Sequence, residues 1–147
     1  MDTGKINAGT CPIGRALDRI GDAWSLLILR DAGLGATRFD QFRAGLGIAP
    51  NILSRRLAAL VEAGLLEKHS YSKRPPRHDY RLTERGRDFL PVLEAIGAWG
   101  ARHYGEGQTS YPVDAETGAR IEPVVVDRAT GRPLAGIRTR RVMPGEA

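Results

Sequence analysis

The chain has 147 residues, 41% of them apolar and 27% charged, which is typical of one folded domain with a hydrophobic core. No apolar run approaches the roughly 20 residues of a membrane-spanning helix, and the N-terminus lacks the apolar core of a signal peptide, so we expect a cytoplasmic protein without a membrane partner. The net charge of +5 favours polyanionic partners, and the single cysteine excludes an intrachain disulfide and a multi-thiolate zinc site.

Two helices are predicted near the N-terminus. The first spans residues 12–20, because a proline occupies the first helical position and apolar residues recur at i, i+4 and i+7. Asp22 is a suitable N-cap for the second, over residues 23–32, whose sequence is apolar on nearly every face. We therefore expect the second helix to be central and buried.

Residues 37–64 have the pattern of a helix, a short glycine-containing turn and a second helix. We expect Thr37 to cap the shorter helix, with Asp40 as its capping-box partner. The longer helix is expected over residues 50–63, followed by a glycine suited to the left-handed conformation that ends many helices. This arrangement is typical of a helix-turn-helix.

A basic hairpin is predicted directly after this motif. Residues 65–71 and 78–82 have strand-like sequences, and residues 72–77 between them are basic and include two prolines. We expect His69 and His78 to pair across the hairpin. A metal site there is disfavoured, because two histidines fall short of a usual ligand set.

The rest of the chain is predicted to form one long helix and an appendage. The helix starts at Thr83 and reaches about His103, with a kink near Phe89 because Pro91 lies inside it. We therefore divide the chain into a first domain, residues 1–104, and residues 105–147.

An internal repeat marks the appendage. The pattern Val-Asp-x-x-Thr-Gly at residues 113–118 recurs at residues 126–131, and in each copy the Asp can hydrogen-bond its own turn while the Gly supplies a positive φ. We expect a small β-rich appendage, or a tail that is partly disordered. Arg138, Arg140 and Arg141 near its end are either additional DNA contacts or a solvated charge run.

The helix over residues 50–63 presents a polar face suited to DNA. Three leucines at helical spacing define its buried stripe, which leaves Asn51, Ser54 and Arg55 on the outside. These residue types read base edges, since Asn pairs with adenine, Arg with guanine and Ser with either. An ordinary solvated helix face is the alternative.

The neighbouring hairpin favours the DNA interpretation. Its prolines stiffen a cationic tip suited to phosphate contact. Arg38, at the start of the helix-turn-helix, is expected to join the tip in anchoring phosphates, and Arg56 lies near the core boundary of the longer helix. The full set of predicted DNA-binding residues is Arg38, Asn51, Ser54, Arg55, Arg56, Lys73, Arg74 and Arg77.

Residues 11–100 resemble the HxlR family of bacterial winged-helix regulators, relatives of the MarR group. The resemblance implies an α+β winged helix-turn-helix, a homodimer whose first and last helices pair across a two-fold axis, and recognition helices roughly 34 Å apart in successive major grooves. The matching blocks include Cys11-Pro12-Ile13, Gly21-Asp22-Ala23-Trp24-Ser25, Arg38-Phe39-Asp40-Gln41-Phe42, Leu53-Ser54-Arg55-Arg56-Leu57, Pro75-Pro76-Arg77-His78-Asp79-Tyr80 and Leu82-Thr83-Glu84-Arg85-Gly86.

The implied function is sequence-specific binding of double-stranded DNA, at a pseudo-palindromic operator, by a homodimeric transcriptional repressor. No P-loop, dinucleotide fingerprint, zinc-protease motif or nucleophile elbow is present, so we expect no enzyme. The alternatives are a small-molecule-binding protein and a protein-interaction module on the same scaffold, although the latter does not need so cationic a hairpin.

Two sites for a regulating signal follow from the resemblance. Some family members use the cysteine at the position of Cys11 as a redox switch that bridges two subunits; a small buried thiol is the alternative. Family members also sense small molecules, and a possible effector pocket near the dimer axis is lined by Trp24, Leu27, Phe42 and Trp99.

The sequence departs from the family pattern in two places. Asp22-Ala23 stands where many members carry a basic residue, which removes one potential phosphate contact. Extended tails in the family often carry Cys-x-x-Cys-Gly pairs typical of a zinc ribbon, whereas both pairs here are Asp-x-x-Thr-Gly. Threonine does not replace a thiolate ligand, so we predict no zinc and no other cofactor.

Overall fold

The computed structural model describes residues 9–146. These residues form two compact units, the first ending at Leu90 and the second beginning at Pro91. The division falls inside the last helix, and the domain boundary after residue 104 stays a prediction. The elements in chain order are α1 (Pro12–Ile20), α2 (Ala23–Gly33), α3 (Phe39–Leu46), α4 (Pro50–Glu62), β1 (Leu66–Lys73), β2 (Pro76–Leu82), α5 (Glu84–Tyr104) and a 3-10 turn (Leu134–Gly136).

The predicted helices are confirmed to within a residue or two at each end. Asp22 caps α2 as expected, since its Oδ1 accepts a hydrogen bond of 2.8 Å from the Ser25 backbone N–H. Thr83 opens α5, where its Oγ1 accepts from Gly86 N at 3.1 Å and donates to Gly64 O at 2.6 Å. The helix α5 continues through Pro91, and the kink near that residue stays a prediction.

The expected cap of α3 is wrong. The N-cap is Arg38, not Thr37, and the side chain that reaches back is that of Gln41, not Asp40. Gln41 Oε1 accepts hydrogen bonds from the backbone N–H groups of Thr37 and Arg38, at 2.9 and 3.0 Å. The physical reason is position, because Gln41 is the third residue of the helix, from which a side-chain oxygen can return to the cap.

A single apolar core holds the first unit together. The helix α2 lies at its centre, as predicted, and α3, α4 and the second strand pack against it, while the first strand packs against α4. Removal of these side chains from water is the main favourable term for folding the unit. The buried apolar residues are Ile20, Ile28, Leu29, Phe42, Ile48, Leu53, Leu57, Leu60, Leu65 and Leu66.

The strands β1 and β2 form an antiparallel hairpin, here called the wing. Both strands are longer than expected, so that only Arg74 and Pro75 remain in the turn. The expected pairing of His69 with His78 is wrong: Asp79 lies opposite His69, and Ser70 lies opposite His78. The short turn and an irregularity between Ser70 and Ser72 set this register.

The appendage contains two turns with the same backbone bonds. In the first, Asp114 N donates to Ala119 O at 2.8 Å, and in the second Asp127 N donates to Arg132 O at 2.9 Å. The two glycines that end the repeats have φ of 73° and 69°, as the pattern predicts. Isolated β-bridges replace the regular strands that a β-rich appendage would have, within the residues described here.

Between residues 9 and 146, no helix has both the length and the apolar character needed to cross a membrane. The same residues contain no group of three or more His, Cys, Asp or Glu side chains placed to hold a metal ion.

Candidate nucleic-acid interface

The helix α4 presents the polar face that the leucine spacing predicts. Its three core leucines, at positions 53, 57 and 60, are completely buried. Asn51, Ser54 and Arg55 are exposed on the other side of the helix, near its N-terminal end. Ala58, one turn further on, is also exposed and adds little bulk to this face. The arrangement leaves the base-reading residue types open to a major groove.

Arg56 forms an ion pair with the residue that precedes α2, and its side chain is also partly exposed to solvent. Its Nε lies 3.3 Å from Asp22 Oδ1, as an ion pair between α4 and the first residue before α2. Burial by itself would raise the pKa of Asp22, but hydrogen bonds from Ser25 and the charge of Arg56 hold that pKa below its ordinary value. The pair therefore joins α4 to the start of α2, while 40% of the Arg56 side chain stays exposed.

Arg38 links the helix-turn-helix to the wing. Its guanidinium carbon lies 4.5 Å from the centroid of the Tyr71 ring, a cation–π contact that holds the charge over the hairpin. The backbone continues the link, because Arg38 forms a β-bridge with Asp79 and Tyr80 N donates to Thr37 O at 2.7 Å.

A cavity of about 440 Å³ opens beside this link. It lies between the start of α3 and the wing, and its wall combines cationic and aromatic side chains. The lining residues are Arg38, Phe39, Asp40, Gln41, Tyr71, Pro76, Arg77, His78 and Tyr80.

The cations at the tip of the wing are not neutralised within the described residues. Lys73, Arg74 and Arg77 are all exposed, and no ion pair found between residues 9 and 146 involves them. The nearby acid, Asp79, is buried and pairs with Arg81 at 3.0 Å. The tip therefore keeps its positive charge for a partner such as a phosphate.

Sequence reasoning missed two positioning residues in this region. Tyr71 carries no charge and lies on an exposed strand, so only its closeness to a basic tip could have drawn attention to its ring. Asp22 was predicted as a helix cap, but its ion pair with Arg56 joins residues 34 positions apart. No local pattern shows such a pair.

The two candidate signal sites have different surroundings. Cys11 is a free, half-buried thiol that caps α1, where its Sγ accepts from Gly14 N at 3.5 Å. Of the proposed effector pocket, Phe42 is completely buried, Trp24 and Leu27 are half-buried, and Trp99, in the second unit, is exposed. A second cavity, of about 430 Å³, has none of these residues in its wall and is lined by Asp18, Arg19, Ala59, Glu62 and Ala63.

The model of the HxlR-like helix-turn-helix family matches residues 19–108. The chain belongs to this family. The predicted family and the predicted winged helix-turn-helix fold are thereby confirmed. Among its relatives, the uncharacterized HTH-type transcriptional regulator Rv3095 of Mycobacterium tuberculosis is 49% identical over 88 residues, which cover 60% of this chain. This HxlR-like chain spans only 56% of the length of that relative.

Solved structures show how far the likeness extends. The protein PA1607 superimposes with a TM-score of 0.81 at 38% identity and covers 94% of this HxlR-like chain, so the likeness includes the appendage. The reduced form of the redox regulator HypR gives a TM-score of 0.60 at 30% identity and covers 65% of this chain and 98% of its own. The appendage therefore distinguishes subgroups among the structures with this fold.

Proposed function

We propose that the chain is a transcriptional regulator that binds double-stranded DNA sequence-specifically through α4 and the wing. The observation that carries this proposal is the outward face of α4, whose base-reading side chains are exposed while its leucines are buried. An unneutralised cationic wing in the same unit supports it. Relatives named as HTH-type transcriptional regulators support the same conclusion.

The roles of the residues follow from their chemistry. Asn51, Ser54 and Arg55 read base edges, and the exposed cations of the wing, with Arg38, anchor phosphates. Arg56 adds a phosphate contact from the part of its side chain that the ion pair leaves exposed.

We infer that the chain acts as a homodimer on a pseudo-palindromic operator. Ile13 and Leu17 on α1 are about half exposed, and so are Ile96 and Trp99 on α5. Four partly exposed apolar side chains on two helices favour an interface in which a second copy of the chain buries them. A dimer places two copies of α4 one helical turn of DNA apart, and occupancy of an operator at a promoter would repress transcription.

The test is binding to duplex DNA from the region upstream of the chain's own gene, against a scrambled duplex, over a salt series. Selective binding with a steep salt slope supports the proposal, and no binding at low salt overturns it. Arg55→Ala should cost about 1–3 kcal/mol and relax specificity at one position, whereas Lys73→Ala should weaken binding to all sequences alike. Equal effects of both variants on both duplexes would contradict this division of roles.

Regulation by oxidation is the second element of the proposal. Cys11 is free and partly accessible, and HypR, a similar structure, is named as a redox regulator. We expect mild peroxide to join two chains through Cys11, which a non-reducing gel detects, and Cys11→Ser to abolish the dimer band. A wild type that stays monomeric on that gel would contradict the bridge.

A further inference from the structure

The charges of the appendage are unevenly distributed. Residues 105–147 contain six basic and six acidic residues, yet residues 128–141, here called the arginine segment, contain five arginines and no acid. All five side chains are exposed, and none takes part in the ion pairs found between residues 9 and 146. The five are Arg128, Arg132, Arg138, Arg140 and Arg141.

The internal repeat shows that the turn itself does not require these arginines. Both copies make the same backbone bonds, and in both the threonine backbone N–H donates to the aspartate carboxylate. In both, the backbone N–H of residue 119 or 132 donates to the threonine hydroxyl of its own turn at 3.3 Å. The first copy forms with Ala115 and Ala119 at the positions where the second has Arg128 and Arg132. The positive charge of the second copy is therefore available for another role.

The first repeat also shows how an arginine is used when it serves the appendage alone. Arg120 lies with its guanidinium carbon 4.4 Å from the centroid of the Tyr111 ring, and Glu116 and Glu122 balance its charge nearby in the sequence. The arginine segment has neither ring contacts nor acids among its described residues. Charges of both signs, as in the first repeat, are typical of a surface that serves solubility.

The chemistry of the arginine segment fits phosphates. Every cation in it is Arg and none is Lys. A guanidinium presents paired donors to two oxygens of one phosphate, which an ammonium does not. Arg138, Arg140 and Arg141 lie within four residues on a stretch without helix or strand, so they can follow a row of phosphates.

We propose that the arginine segment is a second DNA-contacting surface, which binds phosphates of the duplex flanking the site that α4 and the wing contact. The inference rests on the proposed function of the winged helix. Phosphate contacts carry no sequence information, so the segment adds affinity and salt dependence and leaves base specificity to α4.

The experiment compares the full chain with R138Q/R140Q/R141Q and with the charge-retaining variant R138K/R140K/R141K. Binding is measured over a salt series on scrambled duplexes of two lengths. The short one, of about 20 base pairs, accommodates two recognition helices one turn apart, and the long one, of about 40 base pairs, adds flanks. R120Q, in the first repeat, is the control for loss of an appendage arginine outside the arginine segment.

On the long duplex the Gln variant should bind on the order of tenfold more weakly, with a salt slope lower by about 0.9 for each phosphate that it no longer neutralises. The Lys variant should keep the wild-type salt slope and lose only part of the affinity, because an ammonium keeps the charge without the paired donors. R120Q should stay close to the wild type. On the short duplex the Gln variant and the wild type should bind alike, because the flanking phosphates are absent.

Equal affinities and slopes of the wild type and the Gln variant on the long duplex would overturn the inference and leave the proposed function intact. A salt slope lowered equally in the Lys variant would overturn it too, since neutralisation of phosphates would then not be the cause. Tighter binding to a single-stranded RNA than to the long duplex, lost in the Gln variant, would overturn it and assign the segment to RNA instead. A wild type that binds the upstream duplex no more tightly than the scrambled one contradicts the proposed regulator, but not this second surface.

Discussion

The unit that ends at Leu90 buries ten apolar side chains, whereas none of the described residues from Pro91 onward is buried. The first unit is ordered by removing apolar surface from water. The appendage within the second is ordered by local hydrogen bonds around two aspartates, Asp114 and Asp127, whose carboxylates accept from the backbone of their own turns. The same substitution should therefore have very different consequences in the two regions.

The largest contrast is expected for leucine-to-alanine substitutions. Leu57 is completely buried in α4, and Leu134 in the appendage is 42% exposed. Leu57→Ala should lower the free energy of unfolding by about 2–5 kcal/mol, because apolar burial decreases and a cavity is left behind. Leu134→Ala should lower it by no more than about 0.5 kcal/mol. Urea denaturation followed by circular dichroism measures both.

Should Leu57→Ala fail to fold, Leu57→Met is the substitution to compare, because its smaller volume change keeps the chain measurable. Equal decreases in the free energy of unfolding at the two positions would contradict the expected difference between the two regions. They would show that Leu134 is covered by protein in solution.

A smaller effect is expected at Asp22, which joins α2 to α4 inside the first unit. Asp22→Ala removes both the cap of α2 and the ion pair with Arg56, and we expect a cost of about 1 kcal/mol at neutral pH. Asp22→Asn keeps an oxygen that can cap the helix and should cost less. Thermal unfolding of the two variants beside the wild type measures both costs.

The same residue gives the first unit part of its pH dependence. Because the pKa of Asp22 is lowered in the folded state, its contribution is fully present above the ordinary value of 3.8 and is lost as the pH falls through the folded value. Acid unfolding of the wild type should thus include a decrease in stability near and below that pH that Asp22→Asn lacks. Identical acid profiles would show that the carboxylate does not stabilise the fold.

Sequence patterns predict well those features that depend on a regular spacing of residues or on contacts within one turn. The bounds of the helices, the leucine stripe of α4 and the Asp turns of the appendage all follow from spacing or from one residue's chemistry. The cap of α3 was missed because Asp40 and Gln41 both offer a side-chain oxygen, and only the residue at which the helix starts decides which of them can return to the cap. The Asp22–Arg56 pair forms only when α2 and α4 pack together in the core, and the periodicity of the sequence does not predict that packing.

The next effect concerns DNA affinity and not folding. Tyr71 is exposed, and its ring holds the Arg38 guanidinium beside the wing. Tyr71→Ala should weaken binding to cognate and scrambled duplexes alike by about 0.5–1 kcal/mol, the value of an exposed cation–π contact. Tyr71→Phe keeps the ring and should bind as the wild type does, and weaker binding by both variants would assign the effect to the hydroxyl.

The smallest effect is confined to a single turn. Hydrogen bonds from the Thr130 hydroxyl and backbone N–H hold the pKa of Asp127 below its ordinary value, so the turn is stabilised above about pH 4 and loosens as the pH falls through the folded value. We expect amide exchange at Thr130 and Gly131 to accelerate there, without global unfolding. In Asp127→Asn that acceleration should vanish, while the Asp114 turn of the same molecule keeps its own and serves as the internal control. Acceleration spreading to the core amides of α4 would show that the two regions are not independent.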